Sequence, residues 1–303
     1  SNLKKISRCK KINSYFKSTI NEKEILPQKN WFKKFENYWT PSEEEAIKEL
    51  KKFIKDRIAN YSENRNFPSV IGTSKLSPYI KHGHIHVETI WDECRKIRNK
   101  GINKFLAEIG WREFNHSLIN YFPHMLNENY SKKFDKFPWR KNSKFLYAWK
   151  NGLTGYPIVD AGMRELRHTG WMHNRVRMIV GSFLVKHLLI DWKDGETYFR
   201  NCLLDYSEAN NVSGWQWVAG CGADAAPYFR IFNPILQGEK FDKDGKYVRK
   251  WVPEIKDIPN KFVHKPWEFV SDLNFKIGRD YPSPIVIHET ARNEALNAFK
   301  KIK

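Results

Sequence analysis

Apolar positions in this chain recur mostly at helical spacing. Thr40-Pro41-Ser42 leads into a stretch in which Ile47, Leu50, Ile54 and Ile58 follow one another every three or four residues, the stripe of an amphipathic helix. Ser42 followed by Glu45 is a capping box in front of it. The pattern predicts further helices at 86–99, 102–121, 143–151 and 157–168. A long one is predicted over 171–190, between Thr169-Gly170 and Asp191, and residues 194–204 continue the helical pattern. Residues 61–84, dense in Asn, Pro, Gly, Ser and Thr, predict a long loop whose Tyr61, Phe67, Val70, Ile71 and Leu76 call for burial. Residues 205–238 read as loop, and 253–303 as Pro-bounded segments closed by a short helix near 289–301. Period-two runs of β-branched residues are almost absent, so an all-α architecture with minimal sheet is expected.

Residues 1–40 are basic and broken, with scattered aromatics (Trp31, Phe32, Phe35, Tyr38, Trp39), and are expected to form a linker or basic arm before one helical domain at 41–303. With 303 residues, 41% of them hydrophobic, the chain has ample material for a core. Charge narrows the partners. Fifty-three Lys and Arg against 34 Asp and Glu leave a formal +19, a field that favours polyanions, nucleic acid ahead of an anionic membrane. Cys9, Cys94, Cys202 and Cys221 have neither metal-cluster spacing nor the look of a disulfide framework. No run of apolar residues is long enough to span a bilayer and no signal-peptide pattern opens the chain. A cytoplasmic, nucleoid-associated monomer without bound metal is the expectation.

Three segments carry candidate chemistry. On helix 102–121, Glu108, Trp111, Arg112 and Asn115 share a face. Two readings are open: an intrahelical Glu108–Arg112 ion pair with Trp111 in the core, or a pocket wall whose indole stacks on a planar ligand. On helix 171–190, Asn174, Arg177, Met178 and Gly181 share a face, with Arg175 about 100° away from Asn174. Arginine at a helix start opposes the macrodipole unless an anion or carboxylate answers it. Gly72-Thr73-Ser74 with Ser77 offers hydroxyls and amides to a phosphate, although such residues also serve as plain turn caps. Gly220-Cys221-Gly222 imitates a dinucleotide fingerprint, but no strand precedes it.

Taken together, WREF at 111–114, TGYPIVDAGMREL at 154–166, TGWMHNRVRM at 169–178 and GWQWVAGCGADAAPYFRIFNP at 214–234 resemble the photolyase/cryptochrome family over about residues 40–260. The resemblance implies a photolyase-type helical domain holding FAD in a folded form, without the α/β antenna domain that normally comes first. It places the flavin among Tyr61, Thr73, Ser74, Lys75, Leu76, Ser77 and Arg112, then Asn174, Arg177, Asp205, Ser207 and Asn211. Arg177 and Asp205 would pair beside the ring system, and Asn211 would face it with a neutral amide. Ser207 stands where the family usually has a second Asp, and Phe105 where many relatives have Trp. Glu108 and Trp111, with Met178 and Trp217, match the pocket that takes a cyclobutane pyrimidine dimer. Trp215, Trp192 and Trp139 match an electron-transfer triad. Arg65, Asn115, Asn174, Arg175, Arg230, Gln237 and Lys240, beside Glu108 and Trp111, fall where relatives meet DNA. The implied activity is light-driven dimer repair by electron donation from reduced FAD to an extruded dimer, with a non-repairing flavin photoreceptor as the alternative.

Overall fold

The computed structural model describes residues 32–225, 229–269 and 275–302. Residues 1–31, most of the expected arm, therefore lie outside the described residues. The rest of the arm packs onto the domain: Phe35 is buried, and the Trp39 indole donates to the Thr169 carbonyl at 2.8 Å.

Helix is the only repeating element among the described residues, with one isolated bridge between Ile277 and Tyr281. In chain order the helices are α1 (Glu43–Asp56), α2 (Tyr61–Asn64), α3 (Ser77–Lys81), α4 (Val87–Cys94) and α5 (Lys100–Tyr121). Then come α6 (Ser143–Asn151), α7 (Pro157–Thr169), α8 (Asn174–Ser182), α9 (Trp192–Cys202) and α10 (Glu208–Ala219). The last are α11 (Pro234–Phe241), α12 (Lys246–Trp251) and α13 (His288–Lys300).

The Ser42 capping box holds, its hydroxyl accepting from the Glu45 amide at 3.1 Å. The long helix expected over 171–190 departs from prediction at both ends. His173 caps α8 through its ring nitrogen, so 171–173 stay outside the helix. After Ser182 the chain widens into a π-turn, Phe183–His187. The two predicted loops also contain helices. Residues 61–84 hold α2 and α3, and 205–238 hold α10 and the start of α11.

Two hydrophobic clusters form. The larger gathers residues from Phe134 to Ile302 around α7, ten of whose thirteen residues are buried. The smaller joins α1, α3, α4 and the start of α5 through residues such as Leu50, Phe53, Ile90 and Phe105. Close approach at the small residues sets the helix spacing. A Cβ on Gly162 of α7 would stand 2.4 Å from Val176 of α8, and one on Gly101 of α5 would stand 1.7 Å from the Ile58 carbonyl. α5, the segment after α2, α8 and α10 together line an open cavity.

Candidate functional site

The cavity has a volume of about 660 Å³, within the range of ligand and cofactor pockets. One wall is the α5 stripe: Lys104, Glu108, Trp111, Arg112 and Asn115. The helical period that predicted a shared face is what turns them inward. Trp111 is 45% exposed and meets Phe114 edge to face. An indole this open is not a core residue; it lines the cavity wall instead. The Glu108–Arg112 pair is not the one formed. Glu108 binds Arg65, at the end of α2, and Lys104, whose ammonium lies 3.1 Å away.

Further walls come from α8 and from α10, which packs against α5. Asn174, Arg175, Arg177 and Met178 lie on them, with Asn211, Trp215 and Trp217. Arg177 meets the expected carboxylate, donating through Nη2 to both oxygens of Asp205 at 3.0 and 2.7 Å. Arg175 donates to Asn66 Oδ1 at 2.6 Å and lies 4.4 Å from the centre of the Phe241 ring. Its Nε is buried without a partner, and burial with Arg65 and Arg230 nearby lowers its pKa. This is a cationic centre short of anions. His173, capping the same helix, is pushed down to about 3 by burial and by the surrounding arginines, and so stays neutral.

Asn211 is held by a residue the sequence did not point to. Its Nδ2 donates to Glu196 Oε1 at 3.2 Å and reaches the Glu196 carbonyl at 3.4 Å. Glu196, nearly fully buried on α9, also accepts from Arg200 and from the Tyr206 hydroxyl at 3.1 Å. Ser207 lines the cavity. Its hydroxyl accepts from Asn210 at 2.8 Å and faces His116 at 3.5 Å, while Asn115 donates to Asn210 Oδ1 at 3.0 Å. Ser207 thus ties α5 to α10 without supplying charge.

Not all the expected residues reach the cavity. Tyr61 packs against Phe53 and Phe105 in the smaller core, where burial pushes its hydroxyl up to about 12. Thr73, Ser74, Lys75, Leu76 and Ser77 do not line it. The Thr73 carbonyl accepts from Arg57, Ser74 accepts from the Leu76 amide, and Ser77 accepts from the Trp171 indole. Lys75, at a left-handed φ of 54°, lies over that indole, and burial lowers its pKa. Leu76 is core. Gln237 and Lys240 sit on α11 outside the cavity, and Arg230 borders a small secondary pocket behind Trp217.

Of the three tryptophans, Trp215 is on the cavity wall, edge-on to Phe199 and Trp149 with centroids 5.1 and 6.1 Å apart. Trp192 is buried and donates to Asn129 Oδ1 at 2.8 Å. Trp139 packs 4.3 Å from Phe137. Among the described residues none of the three rings stacks on another. Gln216, between the two cavity tryptophans, accepts from the Tyr130 amide and donates to the Met125 and Glu128 carbonyls at 2.8–2.9 Å. It locks α10 to segment 125–130. No group of three or more His, Cys, Asp or Glu residues suited to a metal occurs among the described residues.

An all-helical domain with a roomy cleft walled by arginines and tryptophans defines the class: a helical domain with a ligand-binding cleft. Residues 105–301 match the family model described as the FAD binding domain of DNA photolyase, and the chain belongs to that family. It is 49% identical over 288 residues to a deoxyribodipyrimidine photo-lyase of Agrobacterium fabrum, covering 92% of this chain and 60% of that protein. A crystal structure of a bacterial class III photolyase from Agrobacterium tumefaciens superposes with a TM-score of 0.89 at 49% identity, over 93% of this chain and 60% of that one. A cryptochrome from Synechocystis superposes with a TM-score of 0.83 at 32% identity, over 92% of this chain and 59% of that one. The chain thus spans about three fifths of the length of these relatives. FAD is the cofactor of the domain, and the cavity suits it in size and lining, with Arg112, Asn174 and Arg177 on its walls.

Proposed function

We propose that the chain repairs cyclobutane pyrimidine dimers in DNA by light-driven electron transfer. The observation that carries this reading is the α5 wall: Glu108 and the exposed Trp111 stand together in a cavity that Met178 and Trp217 also line. Bound FAD supplies the excited-state electron. The chain's own residues do the rest. Trp111 offers a flat face for an extruded pyrimidine pair. Glu108 reaches the polar edge of the bases. Arg177 and Asp205 hold the floor beside Asn174, and Asn211 presents an uncharged amide. The net reaction would break the two cyclobutane carbon–carbon bonds with no net redox change. The formal +19 supports a polyanionic partner, with Arg65, Arg175, Arg230, Gln237 and Lys240 as its contacts near the lesion. Trp215, with Trp192 and Trp139 behind it, is the route assigned for reducing the oxidised cofactor.

The test is direct. The purified chain is examined for flavin absorbance, reduced, and illuminated with an oligonucleotide containing a thymine dimer. Recovery of thymine absorbance in proportion to light dose is the expected result. A yellow chain that restores none would favour the photoreceptor reading, and a colourless chain that still binds DNA would refute both.

A further inference from the structure

Lys104 stands one turn before Glu108 on α5, so the same stripe that carries Glu108 and Trp111 extends to it. Its ammonium lies 3.1 Å from Glu108 Oε1, and Arg65 binds that same oxygen. Both cations line the cavity. One carboxylate shared by two cations leaves a positive charge in excess at this point of the wall. The two cations are not equivalent. Arg65 has a side chain only 14% exposed, with its guanidinium 5.6 Å from the centre of the Tyr61 ring, so it is fixed from two sides. Lys104 is 45% exposed on a flexible stem and held only by a carboxylate it must share. Arg112 and Arg175 add positive charge to the same lining; of its other carboxylates, Asp205 is held by Arg177, and neither it nor Asp224 pairs with Lys104. A phosphodiester would offer it an undivided negative charge.

We propose that Lys104 is a phosphate-contacting residue of the lesion pocket, released from Glu108 when an extruded dinucleotide carries its phosphate to the cavity mouth. The inference rests on the repair reading above and deepens it. The exchange neutralises the backbone charge, and it leaves the Glu108 oxygen to Arg65 alone, free to take a hydrogen bond from the base edge. Lys104 thereby couples backbone contact to lesion contact. It acts on dimer-containing DNA and not on undamaged duplex, whose phosphates stay outside the cavity.

The test compares the flavin-loaded chain with Lys104→Met and Lys104→Arg, titrated with dimer-containing and undamaged oligonucleotides of one sequence over a salt series. Each neutralised phosphate contributes about 0.7 to 0.9 to the slope of log affinity against log salt. Lys104→Met is expected to lower that slope by about one on dimer DNA and to leave it unchanged on undamaged DNA. Lys104→Arg keeps both slopes, and flavin absorbance per protein is the same in all three. An unaltered slope on dimer DNA, or an equal fall on both DNAs, overturns the proposal. If the unsubstituted chain does not distinguish dimer from undamaged DNA, the repair reading itself fails. A chain that distinguishes them but ignores Lys104→Met refutes Lys104 alone.

Discussion

At the scale of single residues, the decisive feature is how each polar group facing the cavity is held from behind. Glu108 is braced by Arg65 and Lys104, so its carboxylate stays at the wall rather than turning to Arg112. Glu108→Gln keeps the shape and removes the charge. A hydrogen bond to a charged group is worth about 1.5–3 kcal/mol, so on the proposed repair reading the splitting step should slow by roughly tenfold or more, and the quantum yield per bound flavin should fall with it under single-wavelength light. A loss of flavin with unchanged yield per flavin would remove Glu108 from its role. Asn211 is braced by Glu196: with Nδ2 committed to that carboxylate, Oδ1 is left to face the cavity. Glu196→Leu releases the amide, and the midpoint potential and visible bands of the bound flavin should shift, while Glu196→Gln preserves more of both. Unchanged spectra and potential in Glu196→Leu would show that the amide is oriented by something else. The family resemblance pointed to Asn211 but not to Glu196, which lies fifteen residues earlier. Only the packing of α9 on α10 brings them together, and no spacing rule encodes that contact.

At the scale of helices, legibility followed amphipathicity. α1, α5, α6 and α7 show a clear apolar stripe or a strong cap and were readable to within a few residues. α10 was not. Asn210, Asn211, Ser213 and Gly214 are weak helix formers. The helix is sandwiched between core and cavity, so no polar face alternates with an apolar one, and tertiary packing overrides the propensity. The π-turn after Ser182 was equally hidden, being set by what it must reach: Lys186 donates to the Ala219 carbonyl at 3.0 Å and His187 meets His288 at 2.8 Å. Glycines give two opposite predictions at this scale. A Cβ at Gly195 would stand 2.2 Å from the Trp215 ring, so Gly195→Ala must push α9 from α10 or tilt a cavity tryptophan. Overpacking of this kind costs about 1–3 kcal/mol, and flavin occupancy should fall along with the urea midpoint. Gly110, in the middle of α5, has nothing within 4 Å of its would-be Cβ. Gly110→Ala should therefore stabilise the chain by about 0.5–1 kcal/mol, seen as a higher midpoint with flavin retained. A destabilised Gly110→Ala chain would mean that this face of α5 is more crowded than it stands here.

At the scale of the whole molecule, several buried ionisable groups have shifted pKa values, and these shape how stability responds to acid. Burial pushes His173 and His187 down to about 3 and His264 down to about 4. In the unfolded chain each titrates near 6.5. The native state therefore keeps these rings neutral while the unfolded state takes up protons. Their contribution is fully present above about pH 6.5 and drains away as pH falls toward the folded values. Asp160, Glu165 and Asp242, whose carboxyls burial raises, act with the opposite sign. They gain stability as pH drops toward the ordinary carboxylate range, so the total curve is a difference of the two sets. A single histidine's share is isolated by a variant. His264 is buried against Gly238, with its Nε2 2.7 Å from the Asp242 carbonyl and Arg249 as the nearest charge acting on it. Replacing it with Gln removes the titration while keeping an amide able to donate to that carbonyl. Between pH 7 and pH 5 the unfolded ring gains most of a proton and the native ring almost none, which amounts to about 2 kcal/mol. The stability gap between the original chain and His264→Gln should shrink by that amount over this interval, read from urea unfolding at each pH. A gap that stays constant would mean that the folded ring titrates as it does in the unfolded chain, and a gap that widens would mean that it is already protonated in the folded protein.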